Sequence, residues 1–191
     1  MLARLLLPLL LLGNPDPRWD VLNGMRGELD RSASRLRLQG YESPYFIGYT
    51  VRDYEAYDVA GKFGAVYQNN HARQRQTYVE VRVGDYQFDN FANESGGEPM
   101  FDLNDFEKYA PSTDAPIDND MQALRGTLWL LTDYKYKRAL AALNKKRGQR
   151  ATEVVEDEQV ASFAKTKQVK YIDNAVQLRF DSQLWEGRVR P

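Results

Sequence analysis

Residues 45–91 read as several short β-strands, and the middle of this stretch alternates strictly. The run QTYVEVRVGDYQFDNF puts Val79, Val81 and Val83 on one side and Tyr78, Glu80 and Arg82 on the other. A side-chain period of two, with β-branched residues on one side, is the pattern of a strand with one buried face. Upstream, PYFIGYTVRDYEAYDVAGKFGAVYQNN is dense in Tyr and Gly and reads as further short strands at 45–53, 55–60 and 65–68. Gly61 and Gly64 bracket Lys62 and Phe63 and suggest a bend or bulge. Residues 69–75 read as a polar connection, which places His71 in a surface turn. Gly84-Asp85 predicts a two-residue type II′ turn that returns 86–91 antiparallel, with a continuous bulged strand through Gly84 as the alternative. Strands in sequence order joined by short turns predict a largely antiparallel sheet of about four to six strands.

Helical periodicity appears on both sides of this region. In 17–38, Trp19, Leu22, Met25, Leu29 and Leu36 recur on one face with Ala33, while Arg26, Glu28, Arg31, Arg35 and Arg37 cover the others. Gly40 is a candidate stop. A second helix begins after Asp118, Asn119 and Asp120, whose side chains suit a helix N-terminus. Its stripe is Met121, Leu124, Leu128 and Leu131, broadened by Trp129 and Leu130. It continues, or restarts after Asp133, through Tyr136, Ala139, Leu140 and Leu143 to about Arg150. The expected class is therefore α+β, with two long helices packed on one face of the sheet. A dry floor of valines under two leucine-bearing helices is the central expectation.

The flanks divide the chain. Residues 1–16 hold a basic start, the apolar run 5–12 and a Pro- and Asn-rich break, a signal-like pattern too short to span a bilayer core of about 30 Å. Export, to the periplasm for instance, is the favoured location and the cytoplasm the alternative. Residues 17–150 form the α+β domain. Residues 151–191 read as a charged linker, an arm around Val169, Tyr171, Val176, Leu178 and Phe180, and the start of a helix. Asp181-Ser182 is a good N-cap pair for it. That helix stops short of a typical length of about 11 residues, so the chain is expected to be a fragment of a longer product. The other reading is a short terminal helix docked through Leu184 and Trp185.

Little here is placed for catalysis. The 191 residues include no cysteine, which excludes thiolate nucleophiles and thiolate metal sites. His71 is the only histidine, and no zinc-helix motif, phosphate loop, dinucleotide fingerprint or nucleophile elbow is present. Residues 93–120 carry eight acidic side chains against one basic, Lys108, and read as a solvated loop with one turn near 103–109. Their spacing does not match a calcium loop. The seven basic residues of 134–150 suggest anion binding, but a solvated helix face is the simpler account, and a net charge of −1 gives no reason to expect nucleic acid. Arg73, Arg75 and Lys62 form a small basic group near strand ends. Tyrosines crowd the sheet, and Tyr49, Tyr57, Tyr67, Tyr78 and Arg82 are the candidate contacts for a peptide or partner.

The strand region, the acidic loop and DNDMQALRGTLWLLTDYKYKRALAALNKK together resemble the N-terminal region of exported members of the TldD/PmbA family, putative zinc metallopeptidases once described as modulators of DNA gyrase. The local runs RVGDYQFDN and LRGTLWLLTD carry the resemblance, which extends over about 29–185. It implies a non-catalytic N-terminal domain that forms one wall of a groove for unfolded peptide and part of a homo- or heterodimer interface. Zinc is expected only in a C-terminal domain, whose histidine-and-glutamate motif has no counterpart here; no catalytic, cofactor or metal residue is assigned to this chain, and no stable membrane span. The alternative is a stand-alone exported module that binds a protein or peptide without catalysis.

Overall fold

The computed structural model describes residue 16 and residues 18–91, 113–152, 160–174 and 178–190. The chain folds as α1 (Arg18–Arg35), β1 (Phe46–Lys62), β2 (Ala65–Arg82), β3 (Thr113–Ala115), α2 (Met121–Arg150) and α3 (Ser182–Val189). The class is α+β, with an antiparallel sheet of order β1-β2-β3. The described sheet has three strands, fewer than the four to six expected, because segments read as separate strands are continuous. β1 runs through both 45–53 and 55–60, and β2 absorbs the supposed polar connection 69–75. A ladder of backbone hydrogen bonds holds a strand together whether or not its side chains are buried, so a polar stretch need not be a loop.

The β1–β2 hairpin is the main architectural element. Pairing runs from Phe46↔Arg82 to Lys62↔Ala65. Phe63 and Gly64 close it, with φ of 52° and 78°. Positive φ at both central residues is what a type I′ turn needs. The register shifts once, after Ala60, and Tyr67 is the residue it skips. The bend-or-bulge reading of this stretch thus resolves into both features: a bulge, and beyond it the hairpin turn.

The inner half of the hairpin carries the core. Thr77, Val79, Val81 and Val83 are buried with Leu124, Leu128, Leu131, Tyr136, Ala139, Leu140 and Leu143 of α2; Val21, Met25 and Leu36 pack against them from α1 and its C-terminal flank, and Tyr49 and Val51 from β1. The valine side is dry, as its alternation requires. α2 is one uninterrupted helix, and its Asp120 cap accepts from the N–H groups of Gln122 and Ala123. Met121, Trp129 and Leu130 of its expected apolar surface remain exposed.

α1 departs from expectation. It ends at Arg35, and Gly40, at φ 83°, forms a turn five residues later. Its buried side is Gly24, Glu28 and Ser32, whereas Trp19, Leu22 and Ala33 are exposed. The reason is close contact with α2, which runs alongside in the same direction. A Cβ on Gly24 would lie 3.4 Å from Leu124 and 3.8 Å from Met121. Glu28, 2% exposed, accepts from Arg31 through both carboxylate oxygens and from Ser32 Oγ at 3.2 Å, with Arg125 Nε 3.7 Å away. A buried carboxylate persists only with such partners.

After β2 the chain turns back, but not as a strand. Gly84 (φ 99°) makes a single bridge to Asp89, and the Asp85 carboxylate accepts from the N–H groups of Gln87 and Phe88, each at 2.8 Å. This Asx-type loop replaces the expected two-residue II′ turn and returning strand. Later residues close over it: Ser162 N–H and Phe163 N–H donate to the carbonyls of Gln87 and Tyr86. The expected turn at 103–109, most of the acidic loop and the signal-like segment lie outside the described residues. No described helix is long and apolar enough to cross a membrane.

Candidate binding surface on the hairpin arm

The two halves of the hairpin have different surroundings. From about Asp53 and Arg75 outward the strands leave α1 and α2 behind and project as an arm. Arg75 anchors its base. It is 4% exposed and donates to both Asp53 carboxylate oxygens (2.6 and 2.9 Å), to the carbonyls of Pro116 and Asp118, and to Asn119 Oδ1. The Asp53 bond holds the guanidinium proton more firmly than usual. Arg75 therefore ties the arm to the segment leading into α2, and does not form a basic group with Arg73 and Lys62.

Register sorts the arm into two faces. Asp53, Glu55, Tyr57, Val59 and Gly61 share one face with Arg73, His71 and Asn69 opposite; Tyr54, Ala56 and Asp58 share the other with Gln74, Ala72 and Asn70. On the first face Tyr57 and His71 are directly paired, their rings stacked at 4.0 Å and 3° apart. His71 Nε2 lies 2.9 Å from Glu55 Oε1. His71 is thus a strand residue with a ring partner and a carboxylate, not a turn residue. Phe180 stacks on Tyr57 at 4.6 Å, and α3 lies along the same face. The second face of the arm is exposed from Arg52 to Asp58. At the tip Phe63 is 95% exposed, and Tyr67, at the register break, is 68% exposed.

The five candidate contacts do not form one surface. Tyr49 lies beneath the helices: its hydroxyl donates to Ser32 Oγ at 3.2 Å and sits 2.9 Å from Thr132 Oγ1, and burial pushes its pKa up. Tyr57 and Tyr67 belong to the arm. Tyr78 is on the opposite face of β2, with the Lys135 ammonium 5.8 Å from its ring. Arg82 is buried, bonded to Glu80 and Asp89, with its guanidinium 4.0 Å from the Phe163 ring and 4.8 Å from that of Phe91. Burial works against its charge, but the bonds to Asp89 and Glu80 outweigh that and hold the proton. Asp89 also accepts from Tyr45 at 2.7 Å, and burial raises the Tyr45 phenol well above its ordinary range. Lys146 donates to the carbonyls of Asp89 and Phe91 from the α2 side. This cluster cements the loop after β2 to α2.

What the sequence reading missed is the tip and the ring ladder. The paired positive-φ turn at Phe63-Gly64 lacked the usual Asn-Gly or Asp-Gly signal. Phe180 joins Tyr57 only through tertiary contact, which no local period reveals. Among the described residues no group of three or more His, Asp or Glu side chains is gathered to hold a metal ion. No protein-family model matches the chain, and neither a curated protein nor a solved structure matches it.

Proposed function

We propose that the chain is a non-catalytic binding domain that takes up an extended peptide by strand addition, and that it serves as one wall of the peptide groove, and part of a dimer contact, in a TldD/PmbA-like metallopeptidase. The observation that carries this reading is the outer edge of β1. Among the described residues β1 is the edge strand of the sheet along all 17 of its residues, paired by its ladder with β2 alone. An edge strand offers a row of N–H and C=O groups ready to pair with another chain. Strand addition draws affinity from those groups and selectivity from alternate side chains. β1 carries no proline and its single lysine is its last residue, while Arg52, Asp53, Glu55 and Asp58 charge its middle. Tyr54, exposed on the uncovered face, provides side-chain contact there.

Hydrogen exchange with an unfolded polypeptide such as casein tests the pairing. New protection should concentrate at 52–62 and be absent from α2. Protection spread evenly, or confined to the helices, would remove strand addition. The family assignment has its own test in the reading frame beyond Arg190. A histidine-and-glutamate zinc motif there supports it; unrelated coding sequence there, with no partner gene alongside, counts decisively against it.

A further inference from the structure

We propose that the ring-bearing face of the arm is a recognition site for a short segment carrying two aromatic side chains and a carboxylate, and that residues 180–189 fill this site in cis. The inference concerns the face of the arm and not its edge, so it stands independently of strand addition.

Three features of the face meet three features of the segment. The His71 and Tyr57 rings form a flat platform, on which Phe180 stacks at 4.6 Å and 20°; Trp185 follows Phe180 at 6.3 Å, nearly parallel. Beside it, Asn69 Nδ2 donates to Glu186 Oε1. Further out, Gly61 leaves room for the end of the helix: a Cβ there would lie 2.5 Å from the Val189 carbonyl oxygen and 3.2 Å from its Cβ. Tyr57, His71, Asn69 and Gly61 all fall on one face by register. Platform, amide donor and glycine gap thus meet Phe180, Glu186 and the Val189 backbone, and Trp185 extends the ring stack by lying parallel to Phe180.

The occupant is held loosely. None of the eight residues of α3 is buried, and Leu184 and Trp185 are half exposed. A helix this short has no stability of its own and is ordered by what it lies on. Its packing is on β1 and β2. A segment so held exchanges readily, and a partner protein presenting the same aromatic and acidic pattern competes for the platform. The cis segment then acts as a built-in competitor that lowers apparent affinity by the fraction of time it is docked.

The test uses the full chain and a fluorescein-labelled synthetic peptide of residues 178–190, followed by anisotropy. The double substitution Phe180→Ala, Trp185→Ala vacates the platform, and that chain should bind the peptide about tenfold or more tightly than the unaltered chain, whose site is mostly filled. Adding Tyr57→Ala, or separately Gly61→Val, to the double variant should abolish binding. Both positions stand away from the valine core, so an unchanged unfolding midpoint confirms that loss of binding is local. A peptide with both rings replaced by alanine should not bind. Equal affinity for the vacated and unaltered chains, indifference to both Tyr57→Ala and Gly61→Val, or no saturable binding to the vacated chain would each overturn the proposal.

Discussion

The same two strands build two different regions. In the inner half, Val79 and Val81 pack with the leucines of α2 in a dry core, and Thr77 is buried beside them with its hydroxyl donating to the Thr113 carbonyl at 2.9 Å. In the outer half the ladder continues in register, but Asn69, Asn70, Ala72, Arg73 and Gln74 are all exposed. Backbone pairing is common to both; only burial differs. Pairing sets shape, burial sets stability, and this chain separates the two along one hairpin. Two-stranded ribbons are marginal in isolation, so the arm depends on the inner half for its existence. It is for that reason free to carry a surface chosen for contact.

The sharpest way to break the contrast is to remove side-chain volume on each side of it. Leu128→Ala, fully buried against the valines, should cost about 2–5 kcal/mol. Tyr54→Ala on the exposed face of the arm should stay within about 0.5 kcal/mol. Urea denaturation of the two variants measures both. Comparable losses would mean that the arm is part of the core after all.

A second contrast lies within the inner region, between a buried charge and its partners. Arg31→Met leaves the Glu28 carboxylate buried with only the Ser32 hydroxyl and the more distant Arg125 beside it and should cost about 3 kcal/mol. Glu28→Met frees two arginines that already reach solvent, and should cost much less or stabilise. If the two midpoints shift equally, Glu28 is worth no more than its packing.

Alkaline pH should act on both regions, because the Tyr57 phenol on the arm is raised as well, by burial and by the neighbouring Glu55 carboxylate. Burial raises the Tyr45 phenol, with the Asp89 hydrogen bond adding to it, and burial raises that of Tyr49. Between an ordinary tyrosine value of about 10 and these raised ones, the folded chain holds protons that the unfolded chain has lost, so stability falls as pH rises. The contribution is complete below about pH 10 and disappears above it. Burial lowers the Lys146 pKa, which acts in the opposite sense. Absorbance titration at alkaline pH should show tyrosines that ionise only as the chain unfolds. Tyr45→Phe should flatten the decline in midpoint, whereas Tyr54→Phe on the arm should not.

The inner region was readable because burial writes a period into sequence. The valines at every second position, the leucines at 124, 128 and 131, and the caps at Asp120 and Asp181 all stand where the pattern puts them. α1 was misread because its closest contact is made by Gly24, Glu28 and Ser32, residues a hydrophobic criterion passes over, while Trp19 and Leu22 face outward. The arm was misread because, among the described residues, only the C-terminal segment covers it, on one face, and residues 69–74 stay exposed, so no period marks them. The candidate contacts scattered for a related reason. Tyr49 and Tyr57 differ by an even number and share a face, but only the register between strands shows that Tyr78 and Arg82 lie on the other, and that Tyr67 sits where the register breaks.

The smallest effect is expected at the tip of the arm, and it bears on why the arm exists. Phe63 has φ 52° and is the one described residue other than glycine with positive φ. The left-handed region costs an L-residue with a Cβ roughly 1–2 kcal/mol, and asparagine tolerates it better. Phe63→Asn should therefore tighten the hairpin by about 0.5–1 kcal/mol, read as slower amide exchange in 58–68 with little change in the global midpoint. A phenylalanine that is 95% exposed and conformationally costly offers the fold little beyond the contact of its ring with the Lys62 ammonium, 5.1 Å away. Strain of this kind persists where the side chain has a use. If Phe63→Asn both steadies the arm and weakens capture of unfolded polypeptide, the tip is part of the contact surface. If it steadies the arm and leaves capture unchanged, contact is confined to the edge of β1.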